Sequence, residues 1–122
     1  MNGIARYQTV HTTTATQEEL VVLAFEAAVR HQTKAIAAKQ KRDHLATARH
    51  LRTVRGIFGE LLAALDHEVA PELCRNLSRL YVWLIGELAR VPSDPGPGRL
   101  NHTLAVTETL LEGWKHSFRK AA

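Results

Sequence analysis

Residues 43–66 read DHLATARHLRTVRGIFGELLAALD, and their spacing decides the fold. Leu51, Val54, Phe58, Leu61 and Leu65 recur at alternating steps of three and four, the period of a helix that buries one stripe against its neighbours. Asp43 stands just ahead of that stripe as an N-cap residue. Gly56 and Gly59 fall inside the helix, where each costs up to about 1 kcal/mol against Ala. Close approach of a neighbouring helix is the reading that accounts for them. The segment is a helix over about 43–66.

Working toward the N-terminus, Thr16-Gln-Glu-Glu19 is a capping box: the Thr16 hydroxyl accepts from the third amide while Glu19 reaches back to the Thr16 amide. A first helix is expected over about 17–39, with no Gly or Pro inside it. The sixteen residues before it are polar and Thr-rich, a poor helix, and read as an arm, extended or of a single turn, carrying Ile4, Tyr7 and Val10. Toward the C-terminus, Pro71 suits the first turn of a third helix over about 70–91, with Leu73, Leu77, Leu80 or Tyr81, Leu84, Leu88 and Val91 at seam spacing. Pro92-Ser-Asp-Pro-Gly-Pro-Gly98 supports neither helix nor sheet. A fourth helix follows over about 100–118, with Leu100, Leu104, Thr107, Leu111, Trp114 and Phe118 on one stripe. Four helices with short links imply an all-α, antiparallel up-down-up-down four-helix bundle over 17–118.

Composition agrees. A chain of 122 residues with 45% hydrophobic and 23% charged residues is one globular domain. Aromatics at 6% weigh against a β-sandwich. One cysteine excludes an intramolecular disulfide framework, and Cys74 reads as a small buried hydrophobe. No apolar run is long enough to span a membrane, and the first residues lack a signal-peptide layout, so the expected compartment is the cytosol.

Chemistry is hard to find in this sequence. The seven His residues show no ligand spacing on a helical face and read as solvated. No phosphate loop, catalytic constellation, metal site or cofactor site emerges. The net charge of +4 gathers at the end of the first helix, in Lys34, Lys39, Lys41 and Arg42, where cations suit the exposed carbonyls. Arg49, Arg52 and Arg55 form a basic strip without interleaved aromatics for base stacking, so no nucleic-acid partner is expected.

What the helices do carry is apolar surface beyond one stripe. In the first helix Leu20, Leu23, Ala24 and Ala27 form one stripe, and Val22, Phe25, Val29 and Ile36 form a second. Ile57 and Leu62 flank the seam of the second helix; Val82, Trp83 and Ile85 flank that of the third; Val106 and Leu110 flank that of the fourth. Broad stripes in a small bundle, an exposed groove for a partner's amphipathic helix and a homodimer face all account for this surplus.

Tyr7 and Val10 followed by Thr-Ala-Thr-Gln-Glu-Glu-Leu (14–20) resemble the opening of the flagellar export chaperone family FliS. Glu60-Leu61 with Leu65-Asp66, then Asn76-Leu77-Ser78-Arg79-Leu80-Tyr81, then Leu110-Leu111-Glu112-Gly113-Trp114 are similar to later parts of that family, in the same order. Gln17 stands where the family has Pro, and Tyr81-Val82-Trp83 where it begins Tyr-Asp-Tyr. The resemblance implies a cytosolic, non-enzymatic chaperone without cofactor. Such a chaperone binds the disordered C-terminal segment of flagellin, prevents its premature polymerisation and aids its delivery to the flagellar type III export apparatus. Tyr7 and Val10 are then expected in an arm over the binding groove. Val22, Phe25, Ile57, Leu62, Val82 and Ile85 are the expected groove residues, with replacement of Phe25 by Asp expected to weaken binding and spare helicity. The rival readings are a homodimeric bundle and a nucleic-acid binder using Arg49, Arg52, Arg55 and the Lys39–Arg42 turn.

Overall fold

A computed structural model of the chain describes residues 16–121. They form four helices, α1 (Gln17–Gln40), α2 (His44–Ala63), α3 (Pro71–Arg90) and α4 (Gly98–Ala121), with one turn of 3-10 helix at Val91–Ser93 and no strand among the described residues. α1 begins at the capping box, with Glu19 N–H donating to Thr16 Oγ1 at 3.1 Å and Thr16 N–H donating to Glu19 Oε2 at 3.3 Å. Asp43 caps α2 by accepting from the Ala46 amide at 3.0 Å.

α2 stops three residues short of Asp66. The Asp66 carbonyl instead accepts from Val69 and Ala70 amides and from the Cys74 thiol, and its side chain accepts from Glu68 N–H at 3.1 Å. Those bonds close a tight turn that a continuing helix would not allow. At the α1–α2 turn Arg42 has φ of 58°, the left-handed conformation that Gly ordinarily supplies and that costs an L side chain roughly 1–2 kcal/mol.

α1 packs against both α2 and α4, and α3 completes the ring between α2 and α4. Pairing runs in opposite senses: Phe25 meets Phe58 and His31 meets His50 across α1–α2, while Glu26 meets Lys115 and Gln32 meets Thr107 across α1–α4. Trp83 with His102 and Glu87 with Arg99 show the same for α3–α4. The bundle is therefore antiparallel along these seams.

The core-facing side of α1 is made of Ala24, Phe25, Ala27, Ala28, Gln32, Ala35 and Ala38. Alanines let α2 approach closely, because a methyl group is all that separates the two backbones. Phe25 is the exception and fills the centre: its ring lies 6.1 Å from Phe58 of α2, 6.3 Å from Tyr81 of α3 and 6.4 Å from Trp114 of α4. Tyr81 is buried with them, and burial pushes its hydroxyl pKa up to about 12, so it stays neutral. Among the described residues Gly56 and Gly59 serve no close approach, for a Cβ added to either would meet nothing within 4 Å.

His31 and His50 were expected to be solvated, yet both are half-buried and their Nδ1 atoms lie 3.0 Å apart. One imidazole must donate its proton and the other accept, so a doubly protonated pair loses the bond and gains repulsion. Burial, followed by the charges of His50, Arg30 and Lys34, holds the His31 pKa below its ordinary 6.5. The unfolded chain then binds more protons than the folded one. This stability is fully present above about pH 6.5 and is lost as pH falls through the folded pKa. Urea midpoints measured at about pH 7.5 and about pH 5.5 should show it, with a smaller drop for His31→Gln than for the parent.

Candidate functional site

Two apolar clefts flank α4. The first lies between α3 and α4, which touch far less than α1 and α4 do. It measures about 430 Å³ and is lined by Leu80 of α3 and by His102, Ala105, Val106, Thr109 and Leu110 of α4. These α4 residues share one face because they are spaced by three and four. Trp83 of α3 packs edge-on against His102 of this lining, their ring centroids 5.4 Å apart, and is still 38% exposed. Leu73, one heptad before Leu80 on α3, was expected in the seam but is 51% exposed. The cleft is thus an apolar strip with almost no charge along its walls.

The second cleft, about 400 Å³, joins the start of α1 to the end of α4. Val22, Leu23 and Phe118 form its floor. Glu18, Glu19 and Glu26 on one rim face Lys115 and Arg119 on the other, and Lys115 reaches Glu26 at 3.6 Å. Charged rims over an apolar floor suit an amphipathic helix whose polar edges meet water.

The expected groove residues fall in different places. Phe25 is 0% exposed and Ile57 1% exposed, so both belong to the core and neither reaches a partner without unfolding. Val22 lines the second cleft. Leu62 and Ile85 are partly buried against the core. Val82 is 56% exposed but sits one residue, hence about 100° around the helix, from Trp83. Tyr7 and Val10 lie outside the described residues. Leu80, Ala105, Val106 and Leu110 line the first cleft, and the sequence did not single them out as site residues. Val106 and Leu110 carried a signal, being apolar beside a complete seam, but Ala105 carried none.

Among the described residues no group of three or more His, Cys, Asp or Glu is placed to hold a metal ion. Cys74 is buried and its thiol donates to the Asp66 carbonyl at 3.3 Å, a packing role. No described helix is long and apolar enough to cross a membrane.

The chain matches the family described as "Flagellar protein FliS" over residues 1–121. It is 29% identical over 98 residues to the "Flagellar secretion chaperone FliS" of Campylobacter jejuni, an alignment covering 80% of this chain and 77% of that one. It is 36% identical over 59 residues to the "Flagellar secretion chaperone FliSB" of Pseudomonas aeruginosa, covering 48% of this chain and 47% of that one.

Proposed function

The chain belongs to the FliS family of flagellar proteins, and from that premise we propose that it is a flagellar secretion chaperone whose client is the C-terminal segment of flagellin. The observation that carries this reading is the pair of apolar clefts flanking α4. A segment that is disordered alone and helical when covered needs apolar surface over a long path. Coupled folding of that kind typically buries about 1,000–3,000 Å², more than either cleft offers, so the client runs through both. Leu80, Val106 and Leu110 receive its apolar face along α3–α4, and Val22, Leu23 and Phe118 receive it at the far end of α4. With its apolar stripe covered, the client cannot pair with its own kind before export. Release to the flagellar type III export apparatus completes the cycle. The chaperone acts by binding alone, in the cytosol.

The test is calorimetric titration of the chain with a flagellin C-terminal peptide of about 40 residues, with circular dichroism of the mixture. Binding should show a negative heat-capacity change and a gain of helicity. Ala105 is exposed on the wall of the first cleft, so Ala105→Arg fills the cleft without touching the core. That variant should bind at least about tenfold more weakly, a loss of about 1.4 kcal/mol, at unchanged melting temperature. Equal affinity for the variant would remove the α3–α4 cleft from the client path.

A further inference from the structure

Eight of the sixteen Lys and Arg residues lie between positions 27 and 59, and that span holds one of the twelve carboxylates, Asp43. Asp43 is already engaged in capping α2. Because α1 and α2 are packed neighbours, the span forms one side of the bundle and its positive charge stays concentrated there. Arg49 and Arg52 are exposed on α2, Arg55 is partly exposed, and Lys41 and Arg42 are exposed at the turn. None of these five makes an ion pair among the described residues. Residues 1–15 contain no Asp or Glu that could neutralise them.

The same face has the spacing of a helix–helix seam. Leu45, Arg49, Arg52, Gly56 and Gly59 follow one another at steps of four, three, four and three, so they share one stripe. This stripe points away from the core stripe of Leu51, Val54, Phe58 and Leu61, which is buried. Leu45 is 72% exposed at its head, and the space above both glycines is open. Gly56 and Gly59 each weaken the helix they interrupt. No packing among the described residues accounts for these two costs, and both fall on the basic side.

We propose that the outer face of α2, together with the α1–α2 turn, docks an acidic amphipathic helix of a partner protein. The glycines admit the backbone of that helix closely, Leu45 meets its apolar stripe, and Arg49, Arg52, Arg55, Lys41 and Arg42 meet its carboxylates. A nucleic acid fits less well, since no exposed aromatic stands among the arginines for a base to stack on. An anionic membrane fits less well because Leu45 is the lone large apolar side chain exposed along α2. The face lies on α2, which does not line either cleft beside α4, so the acidic helix and the client can be held together.

Fluorescence anisotropy on the full chain tests this, using a labelled three-heptad helical peptide with a Leu stripe flanked by Glu. The chain should bind it in a salt-sensitive manner, and Arg49→Glu with Arg52→Glu should weaken binding at least about tenfold. Both substituted residues are exposed, so the far-ultraviolet circular dichroism of the double variant should match the parent. A peptide with Lys for Glu should not bind. Binding of the flagellin peptide should be the same for parent and double variant, which keeps this result separate from the client reading. Equal peptide binding by the double variant overturns the proposal. So does tighter binding of single-stranded RNA, or of vesicles rich in phosphatidylserine, than of the acidic peptide.

Discussion

Replacing Phe25 with Asp should unfold the chain. The ring is 0% exposed and its centroid stands within 6.4 Å of aromatic rings from each of the other three helices, so it ties the whole bundle together. Removing it as Phe25→Ala costs about 3–5 kcal/mol through lost burial and the cavity left behind. Domains of this size hold only about 5–15 kcal/mol in total. Phe25→Ala should therefore fold with a strongly lowered melting temperature. Phe25→Asp adds the desolvation of a carboxylate with no cation beside it, and that addition exceeds what remains. Circular dichroism melts of the two variants check this. A cooperative, near-parental melt for Phe25→Asp would return Phe25 to the binding surface, where the sequence alone had put it.

Gln32→Glu should be the next most damaging change, and its cost should depend on pH. Gln32 is 0% exposed on α1, with Nε2 donating to Thr107 Oγ1 of α4 at 2.8 Å and to the Ala28 carbonyl at 3.3 Å. Its Oε1 has no partner in this pocket. Thr107 in turn donates to the Thr103 carbonyl at 2.7 Å, so its hydroxyl proton is not free to serve a carboxylate. A glutamate of the same shape finds no donor there and can be accommodated only in its neutral form, which raises its folded-state pKa. The unfolded glutamate titrates near 4.3, so holding the proton to pH 7 costs about 3–4 kcal/mol. The sign follows from linkage: the folded variant binds the extra proton, so the penalty is small below the unfolded pKa and grows as pH rises toward the folded one. Denaturant midpoints of parent and variant, compared at the same pH, should differ little near pH 4 and widely at pH 7. Comparison at matched pH also cancels the acid sensitivity of the His31–His50 pair. A pH-independent difference would mean that water or a rearranged Thr107 reaches the new carboxylate.

The Arg42 turn and the glycines of α2 bear on how far local rules extend. The expectation that a helix packs closely over Gly56 and Gly59 fails among the described residues, because α1, α3 and α4 lie on the opposite side of α2. Spacing places Gly56 and Gly59 together on one stripe, but it does not say whether that stripe faces in or out.

Helix starts were legible because their causes are local, whereas α2 ends at Ala63, ahead of the turn closed by Asp66. Thr16 and Glu19 share hydrogen bonds three residues apart, Asp43 caps the helix it precedes, Pro71 opens α3, and the Pro and Gly run at 92–97 separates α3 from α4, which begins at Gly98. Each signal acts within a turn or two, so the sequence by itself determined the four helices of the described residues and the family the chain resembles. Burial is different, because it depends on how each helix is rotated against three others. On α1 that rotation sends the alanine stripe and Phe25 inward and leaves Val22 beside a cleft. The loose meeting of α3 with α4 opens the groove around Ala105, a residue with no apolar bulk to advertise it. His31 and His50 meet only because two helices cross at that height. These are properties of side chains distant in sequence, and only the tertiary structure decided them.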